Sequence, residues 1–148
     1  MKQKFIDLYM AWADRTAQLS HARRLQVGAV VVKDDSVISY GYNGMPAGWD
    51  NNCEDEIGHV LDVDENVVEI RLKTKPEVLH AESNAIAKLA KSTNSGHGAT
   101  MFITHAPCME CAKLIYQSGI GHVLYRNSYR DTGGIAFLEK SNVKVEQI

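Results

Sequence analysis

The sequence predicts an α/β domain: a three-layer αβα sandwich around a mixed five-stranded sheet. Three observations carry that expectation. Residues 27–40 read as a β-hairpin, residues 79–145 alternate helix with strand, and the N-terminal segment is periodic at helical spacing. At 148 residues the chain is expected to form one domain, residues 1–148.

The elements follow in order. Phe5, Leu8, Tyr9, Ala11, Trp12, Ala17 and Leu19 recur at helical spacing, giving an amphipathic helix over 3–19. Val27–Val32 reads as a buried strand, Asp34-Asp35 as a turn, and Ser36–Tyr40 as the returning strand. Gly41–Gly48 holds three glycines and a proline and reads as a loop. Residues 49–78 are polar and acidic, with short order only around Val67–Ile70, so a long functional connection is expected there. Trp49 in that stretch is expected to pack over the hairpin.

Helical periodicity returns over Leu79–Lys91, with Ala81, Ala85 and Leu89 on one face. Thr100–Thr104 reads as a buried strand. Pro107 opens a helix at its favoured first position and Gly119 closes it. His122–Arg126 is a strand, Gly134–Lys140 a helix and Val143–Val145 a last strand. Helix–strand alternation requires parallel pairing, with crossovers expected to cover both sheet faces. The sequence shows no repeat, low-complexity tract or linker.

Composition narrows the function. The net charge is −2 and the pI about 6.3, which argues against gripping a polynucleotide backbone and for a small substrate. No apolar run reaches the roughly 20 residues of a membrane helix, and the segment Met1–Asp7 lacks the apolar stretch of a signal peptide. A cytoplasmic protein with no nucleic-acid or membrane partner is expected. Three cysteines, Cys53, Cys108 and Cys111, do not make a disulfide framework.

Two segments bear chemistry. His80-Ala81-Glu82 stands at the start of one expected helix, and Pro107-Cys108-Met109-Glu110-Cys111 at the start of another. One imidazole and two thiolates form a three-ligand zinc set that leaves the fourth position open for water. Zinc lowers the pKa of that water toward ~7 and so supplies hydroxide at neutral pH. Cys108 and Cys111 are three apart in a first helical turn, where the helix dipole and free N–H groups favour thiolates. His80 and Glu82 would diverge on a regular helix, so His80 is expected just outside it, with both side chains reaching one cavity. Glu82 is then the catalytic group, carrying the proton from water to the ring nitrogen and on to departing ammonia.

Taken alone, Cys-x-x-Cys reads equally as a redox pair or half of a structural zinc site, and His-x-Glu carries almost no information. Together and in this order they are the signature of zinc deaminases. A structural four-ligand site recruiting Cys53 or another histidine is the competing reading.

At these residues nearly the whole chain resembles the cytidine and deoxycytidylate deaminase family. Gly41-Tyr42-Asn43-Gly44-Met45-Pro46, His80-Ala81-Glu82-Ser83-Asn84-Ala85-Ile86, and Ala112-Lys113-Leu114-Ile115 with Ser118-Gly119-Ile120 resemble its deoxycytidylate branch. The resemblance implies a cytidine deaminase-like sandwich and hydrolysis of dCMP to dUMP with one catalytic Zn2+ per chain. It further implies a hexamer activated by dCTP and inhibited by dTTP between subunits, with Mg2+ accompanying a triphosphate effector.

On the same footing Asn43, Tyr129 and Arg126 are expected at the substrate, and Asn84, Lys91 and Tyr42 at an effector. Each has a plainer alternative: Asn43 as a left-handed turn residue, Tyr129 as a loop aromatic, Asn84 as structure, Lys91 as a charge at a helix C-terminus. Arg23, Arg24, Arg126 and Arg130 are the candidate phosphate ligands, at least two of them expected to be merely solvated. Some relatives carry a second zinc. Here Cys53 and His59 are too few to close a four-ligand site, and none is expected. The zinc motif alone leaves open deamination of cytidine nucleoside, guanine or tRNA adenosine, and a non-catalytic zinc-stabilised binding subunit.

Overall fold

Val30, Val31 and Val32 are branched at Cβ and favour extended backbone. In the computed structural model, which describes residues 1–148, they form β1 (Gly28–Lys33), buried along nearly its whole length. Asp34 and Asp35 take φ of 49° and 57°, the paired left-handed conformations that close a two-residue hairpin. They return the chain as β2 (Ser36–Tyr42), two residues longer than the sequence suggests. Lys33 faces Ser36 across the turn, and a register shift at Val31/Val32 marks a bulge.

β5 (Thr100–His105) pairs antiparallel with β1, and β6 (His122–Asn127) and β7 (Lys144–Gln147) continue in parallel. The five-stranded sheet has the order β2-β1-β5-β6-β7. Alternation along each strand sorts its side chains to two faces. Val30, Val32, Phe102 and Leu124 meet Tyr9, Met10 and Ala13 of α1 (Gln3–Ala17). Ala29, Val31, Met101, Ile103 and Val123 meet α2 (Ala81–Ala90), α3 (Met109–Gln117) and α4 (Gly133–Lys140) through Ala85, Leu89, Ala112, Ile115 and Leu138.

The three layers are therefore as expected, but their filling differs. All three later helices cover one face, and α1, which is no crossover, covers the other. Pro107 also lies two residues before the first helical residue, Met109, because Cys108 occupies the N-cap. No helix is long and apolar enough to cross a membrane.

Close approach fixes how α2 sits on the sheet. A Cβ on Gly41 would stand 2.2 Å from the Ala81 carbonyl oxygen, so only glycine lets β2 pass under the start of α2. Side chains of α2 then reach down to the edge strand. Asn84 Nδ2 donates to the Tyr42 carbonyl at 2.8 Å and Lys88 Nζ to that of Tyr40 at 2.8 Å. Gly44 and Leu79 exchange backbone hydrogen bonds of 3.0 and 2.8 Å, which bring the loop beside the approach to α2.

Residues 49–78 correct the expectation of a long connection. They hold a separate antiparallel pair, β3 (Glu54–Leu61) and β4 (Val67–Thr74), that projects as an arm. Asp62 Oδ1 closes its tip by accepting the N–H groups of Asp64 and Asn66, both at 2.9 Å. Apart from Glu54, none of the arm's strand residues is fully buried. Val68, Ile70 and Leu72 alternate with Glu69, Arg71 and Lys73 along β4, but the apolar face they form is left largely exposed. Trp49 is 55% exposed and does not pack over the hairpin as expected.

Candidate active site and metal centre

His80 and Cys108 each occupy the N-cap of a helix, with extended backbone (φ −79°, ψ 154° and φ −70°, ψ 169°). A cap residue leaves the helical spiral, which is how His80 and Glu82 turn toward one space. Cys111 lies in the first turn of α3. The donor atoms of His80, Cys108 and Cys111 all fall within 4.8 Å of one another. His80 Nδ1 stands 3.6 Å from Cys108 Sγ and 3.4 Å from Cys111 Sγ, so Nδ1 is the nitrogen turned to the cluster.

The electrostatics suit a cation. Hydrogen bonds from Cys111 and His80 hold the Cys108 thiol down to about 4. The hydrogen bond to Cys108, followed by burial, pushes Cys111 in the opposite direction. The Cys108 hydrogen bond raises His80 against the opposing cost of burial. Two sulfurs and an imidazole thus gather a negative charge at two helix N-termini, a soft N/S donor set that fits zinc. Glu82 is 4% exposed, and burial lifts its carboxyl to about 7 against the pull of its own backbone N–H and of His80.

His80, Glu82 and Cys108 face a cavity of about 540 Å3, lined also by His105, Asn127, Tyr129, Arg24 and Arg130. Its opposite wall is the root of the arm. There Glu54, 1% exposed, accepts the backbone N–H groups of Arg23 and Arg24, each at 2.9 Å through Oε2. Arg24 Nη1 in turn donates to Thr74 Oγ1 at 3.1 Å.

The structure brings His80, Glu82, Cys108, Cys111, Tyr129, Arg24 and Arg130 to this region and separates the remaining candidates from it. Arg126 pairs with Asp14 at 2.7 Å and is not among the lining residues. Arg23 is drawn to Glu56 and Asn52, both at 3.3 Å. Of the four arginines, Arg24 and Arg130 line the cavity.

Asn43 uses its whole amide on the chain before β1, accepting from Val27 N at 2.9 Å and donating to the Leu25 carbonyl at 2.8 Å. It is not in a left-handed conformation. Tyr42, Asn84 and Lys91 come together, with Asn43, around a second cavity of about 510 Å3. Cys53 is buried beside Ala22 and Val78, its thiol donating to the Asn51 carbonyl at 3.4 Å, while His59 lies on the exposed arm.

Sequence reasoning missed Glu54, His105 and Asn127. Glu54 opens an acidic run, Glu54-Asp55-Glu56, in which nothing marks one member as buried. His105 carried a usable signal, standing three residues before Cys108 at the end of a buried strand.

Comparison with known proteins agrees with this geometry. The family described as "Cytidine and deoxycytidylate deaminase zinc-binding region" matches residues 3–127. The ComE operon protein 2 of Bacillus subtilis is 36% identical over 141 residues, 95% of this chain and 69% of that protein. The deoxycytidylate deaminase of Homo sapiens is 39% identical over 129 residues, 85% of this chain and 67% of that protein. The crystal structure of dCMP deaminase from the cyanophage S-TIM5 in complex with dCMP and dUMP superposes with a TM-score of 0.86. Its identity is 42%, covering 100% of this chain and 99% of that one.

Proposed function

The chain belongs to the cytidine and deoxycytidylate deaminase family of zinc-dependent hydrolases, and from that premise we propose that residues 1–148 form one domain that converts dCMP to dUMP and ammonia. One observation carries the reading. His80 and Cys108 of a three-donor metal set, a buried carboxylate near neutrality and two arginines line a single cavity of mononucleotide size.

His80 Nδ1, Cys108 Sγ and Cys111 Sγ would hold the zinc. When bound there, zinc supplies an acidified water at neutral pH. Glu82 moves the protons. As carboxylate it accepts one from the attacking water and, as acid, gives it to the pyrimidine ring nitrogen; it then takes the second proton from the hydroxyl added to the carbon, as the carbonyl forms, and passes it to the amino group as the C–N bond breaks. Its carboxyl near 7 permits both directions at little cost. Tyr129 flanks the nucleotide, and Arg24 and Arg130 take the 5′-phosphate.

For regulation, the second cavity is the candidate effector site, with Tyr42, Asn84 and Lys91 on its wall, dCTP as activator and dTTP as inhibitor in a hexamer. No Asp or Glu lines it, so a Mg2+ there would be held by the effector's phosphates.

The test is ammonia release by the zinc-loaded protein from dCMP, deoxycytidine and dCTP, with and without each effector. Turnover of dCMP far above deoxycytidine supports the substrate, and opposite responses to dCTP and dTTP support the regulation. No turnover of any cytosine compound overturns the substrate reading, and indifference to both effectors overturns the regulatory one.

A further inference from the structure

His105, the last residue of β5, lines the active cavity and has no part in the chemistry above. Its ring makes one hydrogen bond, between Nδ1 and Thr104 Oγ1 at 2.9 Å. Thr104 is 3% exposed, and its hydroxyl already accepts the Gly28 N–H at 3.1 Å. A hydroxyl has one proton to give, and a buried one needs an acceptor for it. The acceptor within reach is His105 Nδ1. Thr104 therefore donates to the ring, which places the ring's own proton on Nε2. Burial also keeps the imidazole below its ordinary pKa against the opposing field of Asp14, so it is neutral at pH 7. The result is a single N–H donor, fixed in tautomer, on the ring edge left for the cavity.

The surroundings indicate what it reads. His105 shares the cavity with His80, Glu82 and Cys108 and feels the field of Asp14, which lies on α1. Across the sheet it pairs in register with Asn127, from which the chain runs on through Ser128 and Tyr129 to Arg130. It is thus beside the segment that supplies Arg130, one of the two cations assigned to the phosphate.

We propose that His105 Nε2–H donates to the 5′-phosphate of the substrate and so helps select a nucleotide over a nucleoside. This rests on the mononucleotide reading of the cavity. A neutral donor with one direction complements Arg24 and Arg130, which supply charge and a planar fork of donors that a phosphate can take in bidentate fashion.

The experiment is kcat/KM for dCMP and for deoxycytidine in the zinc-loaded wild type and in His105→Leu, His105→Gln and Thr104→Val. Hydrogen bonds to charged groups are worth enough that His105→Leu should lose roughly 10- to 100-fold on dCMP, with deoxycytidine little changed. His105→Gln, whose Nε2 reaches the same place, should restore most of the loss. Thr104→Val should lose less than His105→Leu, and ring 15N shifts should change from a fixed Nε2–H tautomer to a mixture.

Equal losses on both substrates, or no loss on dCMP, would overturn the proposal. A wild type that does not prefer dCMP to deoxycytidine would instead overturn the mononucleotide reading beneath it. Zinc content measured for each variant separates misfolding from either result.

Discussion

The two walls of the active cavity are held in different ways. On the metal side, His80 and Cys108 cap helices whose inner faces are fully packed: Ala81, Ala85 and Ala112 are all 0% exposed. On the arm side, β3 and β4 pair only with each other, and Ile57, Val67 and Val68 stand 61, 56 and 61% exposed. That wall is fixed at its root, where Glu54 takes two backbone N–H groups, Lys75 N donates to the Cys53 carbonyl at 2.8 Å, and Lys75 pairs with Asp55 at 2.8 Å. Groups that must meet within tenths of an ångström stand on backbone that packing over-determines. Groups that need only orient a substrate stand on backbone pinned at a few points.

The sharpest test of the packed wall removes its proton carrier alone. Glu82→Gln keeps size and burial but cannot shuttle protons, so kcat should fall by roughly 10²- to 10⁴-fold while zinc content stays at the wild-type level. Ammonia release and metal analysis measure the two quantities, and near-normal turnover would remove Glu82 from its role.

Next in size is Gly134→Ala. Alanine in a helix ordinarily gains about 1 kcal/mol over glycine. Here its Cβ would stand 2.2 Å from the Pro107 carbonyl oxygen and 2.9 Å from the Cys108 carbonyl carbon. Overpacking costs about 1–3 kcal/mol and should win, lowering the melting temperature and weakening zinc binding by shifting Cys108. A stabilised variant with unchanged zinc affinity would show that the metal wall yields more than its packing implies.

The smallest effect belongs to the arm. Replacing residues 57–71 with Asn-Gly joins Glu56 to Leu72, which already face each other in register, through a favourable two-residue turn. Stability should change by no more than about 0.5–1 kcal/mol, with zinc and dCMP turnover kept. Loss of either would mean that the outer arm supports the cavity, and the contrast between the walls would fail.

The same contrast decides what is legible in the sequence. The metal side is readable because packed elements print their period on the chain: Val30 to Val32, Met101 to Ile103 and Ala81, Ala85, Leu89 each announce a buried surface. The fixed spacing of Cys108 and Cys111 then places the ligands on it. The arm is harder to read because only one of its strands alternates, Val68 to Lys73, while Glu54–Leu61 carries no period and neither strand is buried.

The phosphate side is ambiguous for another reason. Arg126 and Arg130 flank Tyr129 alike in sequence, but strand alternation turns Arg126 to the α1 face, where Asp14 takes it. Arg130, past the end of the strand, lines the cavity. Distinguishing Arg23 from Arg24 needs the partners that only the fold supplies. Asn43 illustrates the limit on loop residues, since its side chain is spent on backbone groups at 25 and 27.

The hydrogen bonds from Asn84 and Lys88 to β2 bear on how the chain behaves when crowded. An open sheet with two free borders invites another chain to add a strand, and fibrils grow that way. On the β2 border the carbonyls of Tyr40 and Tyr42 are already occupied by Lys88 and Asn84. On the other border, β7 offers only four residues, with opposite charges at Lys144 and Glu146. Neither border of the five-stranded sheet is left as a template, so any ordered aggregation of this protein should start from the arm, whose strands pair only with each other, and not from the main sheet.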